Sequence, residues 1–260
     1  MLTPEQIAHY ETFGFLVLRQ LFSGEEAAII KREAEEIFDE ARNANAFDGL
    51  AWEAVQPFLE RRPFLSMIPD DDRIYNIGVD LLGPDFILEG TEGNLQRSDT
   101  PWHGGVPEEG FPSHIKIAFY PEPLTREIGC LRVLPGSHNV GSPDLLSVIR
   151  ERNYEPDFMP FGMAPADVPS FAIESRPGDV VVFTESLLHA SFGGGDGRHQ
   201  HALSFMANPK TDAEMAAVRA HYEKAKYGLH PAESYVHSDR PRIRRMVSRL
   251  VEWGFETSKV

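Results

Sequence analysis

Two histidines carry the chemistry that this sequence suggests. His103 lies in the stretch Thr100-Pro101-Trp102-His103-Gly104-Gly105, and His189 follows a strand-like run much later in the chain. Imidazole is a ligand for iron, and non-haem iron sites built from two histidines and a carboxylate usually take the first histidine and the carboxylate from one His-x-Asp/Glu turn. Position 105 is glycine. The sequence therefore offers either no iron site or an iron site with one protein ligand vacated.

The surroundings of these two histidines set them apart from the others. His103 precedes two glycines, which permit close approach of other atoms to the backbone. His189 follows the turn Gly178-Asp179 and the apolar run Val180–Phe183, and it precedes a glycine-rich turn. Histidines at neighbouring strand ends can converge on one metal ion. We interpret other histidines as packed or solvent-exposed, namely His9, His221, His230 and His237.

Composition limits the class of protein and its partners. The chain of 260 residues has a formal net charge of −15, which disfavours binding to a nucleic acid polymer or an anionic membrane. Its one cysteine, Cys130, allows no intrachain disulfide and fits a reducing compartment. The sequence shows no secretory signal and no apolar run long enough to span a membrane. We therefore expect a cytoplasmic protein with a small-molecule substrate.

The elements that must position the histidines can be predicted from caps, turns and alternation. Capping boxes at Thr3–Gln6 and Ser23–Glu26 predict two helices, and the glutamates at 33, 35 and 36 are predicted to be solvated. Further helices are predicted from Asp71 to Leu82, from Asp212 to Tyr227 and from Pro241 to Trp253. A short strand is predicted at Gly14–Leu18, after the first helix. Further strand-like runs lie at Phe86–Leu88, Gly93–Gln96, Ile115–Tyr120, Cys130–Leu134, Val180–Phe183 and Ala202–Met206.

Several short strands with turn signals between them predict a mainly β fold with flanking helices, an antiparallel barrel or a double-sheet jelly roll. We predict one domain over residues 1–260. It has a helical N-terminal part over about 1–85, a jelly-roll core over about 86–208 and a helical C-terminal part over about 209–260.

Four strings resemble the phytanoyl-CoA dioxygenase family of Fe(II)- and 2-oxoglutarate-dependent oxygenases. They are Tyr10-Glu11-Thr12-Phe13-Gly14-Phe15 with Phe22-Ser23, Thr100-Pro101-Trp102-His103, Gly129-Cys130-Leu131-Arg132-Val133-Leu134-Pro135-Gly136-Ser137-His138, and Gly178–Phe183 continuing to His189-Ala190-Ser191. The resemblance covers roughly residues 4–208. It implies a double-stranded β-helix (cupin-like jelly roll) with iron held by His103 and His189.

The resemblance also implies a basic residue that grips the distal carboxylate of 2-oxoglutarate. Arg198 is the candidate, because a guanidinium pairs bidentately with a carboxylate. Many family members carry this arginine two positions later, where this chain has Gln200, but both positions point to one face of a strand. Further residues are predicted to face the cofactor or to lie just behind it: Gln96, Lys116, Thr100, Trp102 and Ser191.

Gly105 decides which reaction the resemblance implies. Iron-dependent halogenases of the same superfamily show His-x-Gly or His-x-Ala at this place, where chloride replaces the missing ligand and its charge. We therefore predict a halogenase that uses Fe(II), 2-oxoglutarate, O₂ and chloride to chlorinate an unactivated carbon. Three alternatives stay open: Glu108 or Glu109 serves as a displaced ligand in a hydroxylase, the protein is an inactive binding protein, or Gly105 is an engineered substitution in an ordinary hydroxylase.

The basic C-terminal region suggests a substrate. Arg242, Arg245 and Arg249 share one face of the last predicted helix, which is either a solvated face or a phosphate-binding one. Freestanding halogenases that resemble this family include chlorinases of deoxyadenosine monophosphate in antibiotic pathways. We therefore predict a nucleotide-type substrate from secondary metabolism, with Arg242 and Arg245 on its phosphate and Phe171, Phe64 or Trp52 stacked on its base.

Overall fold

The computed structural model describes residues 1–44, 52–104, 110–139, 141, 144–155, 157–195, 197–224 and 230–260. Within them, strands form two antiparallel sheets. The strands are β1 (Phe15–Leu18), β2 (Trp52–Val55), β3 (Phe86–Gln96), β4 (Thr100–His103), β5 (His114–Phe119), β6 (Leu131–Val133), β7 (Phe171–Ile173), β8 (Val180–Thr184), β9 (His189–Ser191) and β10 (Arg198–Ala207).

The helices begin and end close to the positions that their caps predict. Thr3 and Gln6 form the predicted capping box of the first helix, and Ser23 and Glu26 exchange the same pair of bonds at the start of the second. No helix of the described segments is long and apolar enough to cross a membrane. The helices are α1 (Pro4–Phe13), α2 (Gly24–Ala44), α3 (Asp72–Leu82), α4 (Ser147–Arg152), α5 (Asp212–Lys224), α6 (Glu233–Val236) and α7 (Pro241–Glu252).

The large sheet has the strand order β1-β8-β5-β10-β3-β2, and one of its faces is covered by helices. Buried side chains of α2, α3 and α7 join those of the sheet in one apolar cluster, which includes Ile37, Ile77 and Met246. Strands β1 and β2 belong to this sheet although they precede residue 86, so the N-terminal part is not wholly helical. Both faces of β1 are packed, Leu16 and Leu18 in the helix-side cluster and Phe15 and Val17 between the sheets, and the strand pairs with β8.

The small sheet has the order β4-β9-β6-β7 and faces the uncovered side of the large sheet. The space between the two sheets is filled at one end by apolar side chains such as Leu131, Val181 and Phe183. This is the double-sheet jelly roll that the sequence predicts. At the other end of the same interlayer space the lining becomes polar, and both histidines point into that region.

Two features of the strands differ from the prediction. The runs at 86–88 and 93–96 form one strand, β3, whose pairing with β10 shifts register between Ser204 and Phe205. This irregularity hides the continuity of the strand because it breaks the alternation of the sequence. Strands β4, β7 and β9 have only three or four residues each, too few to show a period.

Candidate metal and 2-oxoglutarate site

His103 ends β4 and His189 begins β9, and the two residues are directly paired across the small sheet. Their ring centroids lie 4.0 Å apart. The Nδ1 atoms lie 2.8 Å from the carbonyl oxygen of Pro101 and 2.7 Å from that of Leu187, respectively. A bond of this kind fixes the ring and leaves Nε2 as the atom that faces a metal. The pair thus has the orientation of two imidazole ligands.

Both imidazoles are held in the form that binds metal. Burial lowers the pKa of His103, and Lys116 adds to that effect. Burial lowers the pKa of His189 well below its ordinary value, and the neighbouring His103 adds to it. A metal competes with protons for the ring nitrogen, so a low pKa favours metal binding near neutral pH. The donor set therefore fits iron or a similar divalent cation.

Glycine at position 104 allows the two histidine turns to touch. A Cβ on Gly104 would lie 2.5 Å from the carbonyl oxygen of Leu187, which is closer than such atoms approach. That same carbonyl accepts the bond that orients His189. Any side chain at position 104 would therefore push the two ligand turns apart.

The structure describes no carboxylate that completes the set. Gly105, Glu108 and Glu109 lie outside the described residues. Among the described ones, no group of three or more His, Cys, Asp or Glu side chains is arranged to hold a metal ion. The acid that acts on the pKa of both histidines is Glu185, and Lys116 and Ser204 bind its Oε1 atom at 3.3 Å each.

Arg198 begins β10 and is 5% exposed. Its Nη2 atom donates to Gln96 Oε1 at 2.8 Å and to Thr100 Oγ1 at 2.7 Å, and Nη1 donates to the carbonyl of Ser98 at 3.1 Å. No described carboxylate forms a salt bridge with it. A buried cation with only neutral partners is a site for an anion, because an uncompensated charge is costly in the interior. Its surroundings fit the distal carboxylate of 2-oxoglutarate.

The glycine-rich turn after β9 makes room for this guanidinium. A Cβ on Gly194 would lie 2.3 Å from Arg198 Nη1. Gln200, the position at which many family members carry the arginine, lies on the same face of β10 and donates to Tyr120 Oη at 3.2 Å. The glycine at position 194 thus leaves the space that the Arg198 side chain occupies.

Two cavities meet at the histidine pair. The first, of about 180 Å³, lies between the sheets and connects the histidines to Arg198; it is also lined by Gln96, Thr100, Lys116 and Ser191. The second, of about 740 Å³, lies on the other side of His103, His189 and Lys116 and is bounded by Gly104, His114, Tyr154, Glu185 and Ser186. The smaller volume suits a small acid, and the larger one is of substrate size.

Most of the predicted cofactor residues line the small cavity, but Trp102 does not. A register irregularity in β4 turns both Thr100 and His103 into the small cavity. Trp102 faces the opposite way, where its Nε1 donates to the carbonyl of Pro165 at 2.8 Å within a separate apolar cluster. Its prediction as a cofactor-binding residue is therefore corrected to one that supports the ligand turn from behind.

Three of the predicted substrate residues lie away from both cavities. Arg242 forms an ion pair with Asp72 at 2.5 Å, and Arg245 binds the hydroxyl of Tyr75 and the carbonyl of Pro84. Phe171 is half exposed at the edge of the small sheet. The α7 arginines thus tie that helix to the neighbourhood of α3, which corrects their assignment to a phosphate.

Sequence reasoning missed several polar residues around the site. Glu92 and Glu185 hold Lys116 at 3.0 Å and 3.3 Å, and Arg150 reaches the turns after His103 and before His189. Alternation in β3 could have placed Glu92 on the same face as Gln96. Nothing local in the sequence signals the other two, because their partners come from distant segments.

Comparison with known proteins agrees with this geometry. Residues 87–199 match the model of the phytanoyl-CoA dioxygenase (PhyH) family. No curated protein matches the sequence significantly.

Several solved structures share the fold at low identity. HygX from Streptomyces hygroscopicus, with nickel and 2-oxoglutarate bound, has a TM-score of 0.65 at 20% identity, over 88% of this chain and 96% of its own. EctD from S. alaskensis, with 2-oxoglutarate and 5-hydroxyectoine, has a TM-score of 0.59 at 20% identity, over 79% of this chain and 76% of its own. The epimerase SnoN, in complex with Fe³⁺, alpha ketoglutarate and nogalamycin RO, has a TM-score of 0.57 at 17% identity, over 78% of this chain and 82% of its own. At these identities the likeness concerns the fold. Residues 87–199, which carry both histidines and Arg198, are thus phytanoyl-CoA dioxygenase-like, on a fold shared with iron- and 2-oxoglutarate-binding enzymes.

Proposed function

We propose that the chain is an Fe(II)- and 2-oxoglutarate-dependent oxidoreductase, and specifically a halogenase of a small freestanding metabolite. The observation that carries the proposal is the pair of oriented imidazoles, taken with a sequence that has glycine, which offers no side chain as a ligand, two positions after the first of them. The family match and the metal- and 2-oxoglutarate-bound structural neighbours support the broader class. The halogenase assignment rests on the glycine alone.

The residues divide the work as follows. His103 and His189 would hold the iron through Nε2, each kept in orientation by a backbone carbonyl. Arg198 and Thr100 would bind the distal carboxylate of 2-oxoglutarate at the far end of the small cavity. When bound, the iron, 2-oxoglutarate and O₂ supply the oxidising power that breaks an unactivated C–H bond. The protein's own task is to orient that bond in the larger cavity.

Chloride suits the position beside Gly105 for reasons of space and charge. A glycine leaves room that an aspartate would fill, and it removes one negative charge from the set around a divalent cation. A chloride ion restores both. Water would fill the space without restoring the charge, so the charge balance favours a halide there.

The lining of the larger cavity restricts the substrate. Among its described residues, Lys116 is the one lysine or arginine, and Glu92 and Glu185 already neutralise it. A phosphate would have to displace one of these carboxylates. We therefore favour a neutral or amine-bearing metabolite over deoxyadenosine monophosphate.

A hydroxylase is the second candidate, and Glu185 is the observation that favours it. Its carboxylate lines the larger cavity together with both histidines, although Lys116 holds it. A rotation of this side chain toward the metal would supply the third ligand of a two-histidine, one-carboxylate set, as the displaced glutamates 108 and 109 would also do. An inactive binding protein on the same fold would need neither the free Nε2 atoms nor Arg198.

The class is tested by anaerobic titration of the purified chain with Fe(II) and then 2-oxoglutarate. The proposal predicts a visible charge-transfer band that requires both additions. No band with the wild-type protein would favour the inactive binding protein. A screen of amine-bearing and phosphorylated metabolites with O₂ and chloride, read by product mass, then separates the two enzymes. Gain of chlorine supports the halogenase, and gain of oxygen alone would contradict it.

A further inference from the structure

One buried guanidinium joins the two turns that carry the histidines. Arg150 lies on α4, and its side chain is 5% exposed. Its Nη1 atom donates to the carbonyl of Gly104 at 3.2 Å and to that of Ser186 at 3.1 Å. The first carbonyl directly follows His103, and the second lies three residues before His189. The guanidinium therefore spans both ligand turns.

The same side chain also binds a third turn. Arg150 Nη2 donates to the carbonyl of Ser137 at 2.5 Å. Ser137 Oγ in turn accepts from the backbone N–H of Leu188 at 2.8 Å, and Leu134 N–H donates to the carbonyl of Leu188 at 2.9 Å. Leu188 is the residue before His189. Arg150 thus binds the turn before His189 directly at Ser186 and indirectly, through Ser137, at Leu188.

The arginine is itself held in place. Asp144 Oδ2 accepts from Arg150 Nε at 3.2 Å and balances its charge. Ile149, the preceding residue, is fully buried in a cluster with Trp102 and Leu188, the residues immediately before the two histidines. Helix α4 therefore packs on the outer face of the small sheet while its arginine reaches the turns. A planar fork in a fixed position constrains its acceptors more than a flexible ammonium would.

The strands themselves constrain the histidines weakly. Between β4 and β9, the paired residues are Thr100 with Ser191 and His103 with His189, and the register is irregular between them. Strand β9 has three residues and β4 has four. So short a ladder leaves the separation of the two rings dependent on contacts outside it.

We propose that Arg150 is a positioning residue that sets the separation of His103 and His189, and with it the affinity and coordination geometry of the metal between them. The inference rests on the proposed metal site. Arg150 acts on the backbone of the ligand turns and not on the metal itself, because its acceptors are backbone carbonyls. Loss of the fork would leave three turn carbonyls without a shared donor, and the separation of the two ligand turns would then depend on the short β4–β9 pairing and the Gly104–Leu187 contact.

The test uses the full chain and Co(II), whose visible d–d spectrum reports coordination geometry. Arg150→Gln is expected to weaken Co(II) binding at least tenfold and to change that spectrum, and Arg150→Lys is expected to recover part of the affinity. Arg152→Gln, on the same helix but half exposed and paired with Glu155, is the matched control and should bind as the wild type does. Ile149→Ala separates positioning from stability, since it loosens α4 without removing the fork.

Wild-type affinity and spectrum in Arg150→Gln would overturn the proposal, and so would an equal loss in Ile149→Ala at a matched melting temperature. If Arg150→Gln does not fold, the comparison passes to Arg150→Lys, and an unchanged Co(II) affinity and spectrum there would overturn it. A wild-type chain that binds no Co(II) would contradict the metal site itself, and the positioning role with it. That outcome is recognisable because all variants would then behave alike.

Discussion

Two cations line the same small cavity, and their partners are opposite in kind. Lys116 lies between the carboxylates of Glu92 and Glu185, at 3.0 Å and 3.3 Å. Arg198 has an amide, a hydroxyl and a backbone carbonyl as its partners. Burial disfavours the charge of Lys116, but its two carboxylates outweigh that effect and raise its pKa. Burial lowers the pKa of Arg198, and the charges of Tyr120 and Asp99 oppose that effect without reversing it.

This difference gives the two cations different roles, Lys116 in the stability of the fold and Arg198 in binding an anion. A cation that already has two carboxylates gains little from a third, so Lys116 serves to hold the polar end of the jelly roll together. A cation with neutral partners stabilises an incoming dianion strongly. On the opposite face of β10, His201 is a buried titratable side chain of another kind. It is fully buried, and its two ring nitrogens have no hydrogen-bond partner among the described residues.

The largest effect is expected from Arg198→Gln. Removing one partner of a buried, hydrogen-bonded charge pair costs about 3 kcal/mol, which corresponds to more than a hundredfold loss of affinity. The anaerobic charge-transfer band should then require at least a hundredfold more 2-oxoglutarate, while binding of Co(II) alone is unchanged. Arg198→Lys, which keeps the charge without the fork, should lie between the two. Equal 2-oxoglutarate affinity in all three proteins would mean that another residue grips the acid.

Lys116→Met should affect stability more than cofactor binding. It leaves Glu92 and Glu185 without their cation, and we expect a loss of about 2 kcal/mol in the free energy of unfolding, less than for a fully buried pair because the cavity admits water. Urea denaturation measures the loss. Adding Glu185→Gln to Lys116→Met should restore part of the stability. A stable Lys116→Met protein with weakened 2-oxoglutarate binding would reverse the roles assigned to the two cations.

His201→Leu should change the dependence of stability on pH. Burial lowers the pKa of His201 to about 3, with a further contribution from His199, so the folded state keeps the ring neutral. Above about pH 6.5 the ring is neutral in both the folded and the unfolded state and does not lower the free energy of unfolding. As pH falls from about 6.5 toward 3, the unfolded chain takes up a proton that the folded ring does not, so the free energy of unfolding decreases.

Below about pH 6 the wild type should therefore lose about 1.4 kcal/mol per pH unit from this residue, and His201→Leu should not. Urea midpoints between pH 7 and pH 4 measure the difference. The same exchange at the exposed His237 is the control. Parallel pH profiles for wild type and His201→Leu would mean that the ring takes up its proton at the same pH in the folded and unfolded states, which contradicts the lowered pKa.

Local signals in the sequence predicted the elements well. The capping residues Thr3 and Ser23 and the Gly83-Pro84 stop act within one turn of the chain, so they could be recognised without the fold. The two histidines were singled out because the family strings contain them, whereas Arg198 lies outside those strings and was chosen as a nearby basic residue on the same strand face as position 200.

What could not be predicted depends on contacts between distant segments. Glu33 was expected to be solvated, but it is buried and accepts the backbone N–H groups of Phe64 and Leu65. The α7 arginines looked free to bind a phosphate because Asp72 and Tyr75, their partners, lie on another helix. Arg150 has no local signal, since its acceptors belong to three separate turns.

We propose that a halide takes the coordination position on the iron that a carboxylate at residue 105 would otherwise fill. The most direct measurement is a chloride titration of the anaerobic Fe(II)–2-oxoglutarate complex, followed by its charge-transfer band, in the wild type and in Gly105→Asp. We predict a saturable shift of the band with chloride in the wild type and no shift in the variant, which should still form the band. A wild-type band that does not respond to chloride, or an equal response in Gly105→Asp, would contradict the account.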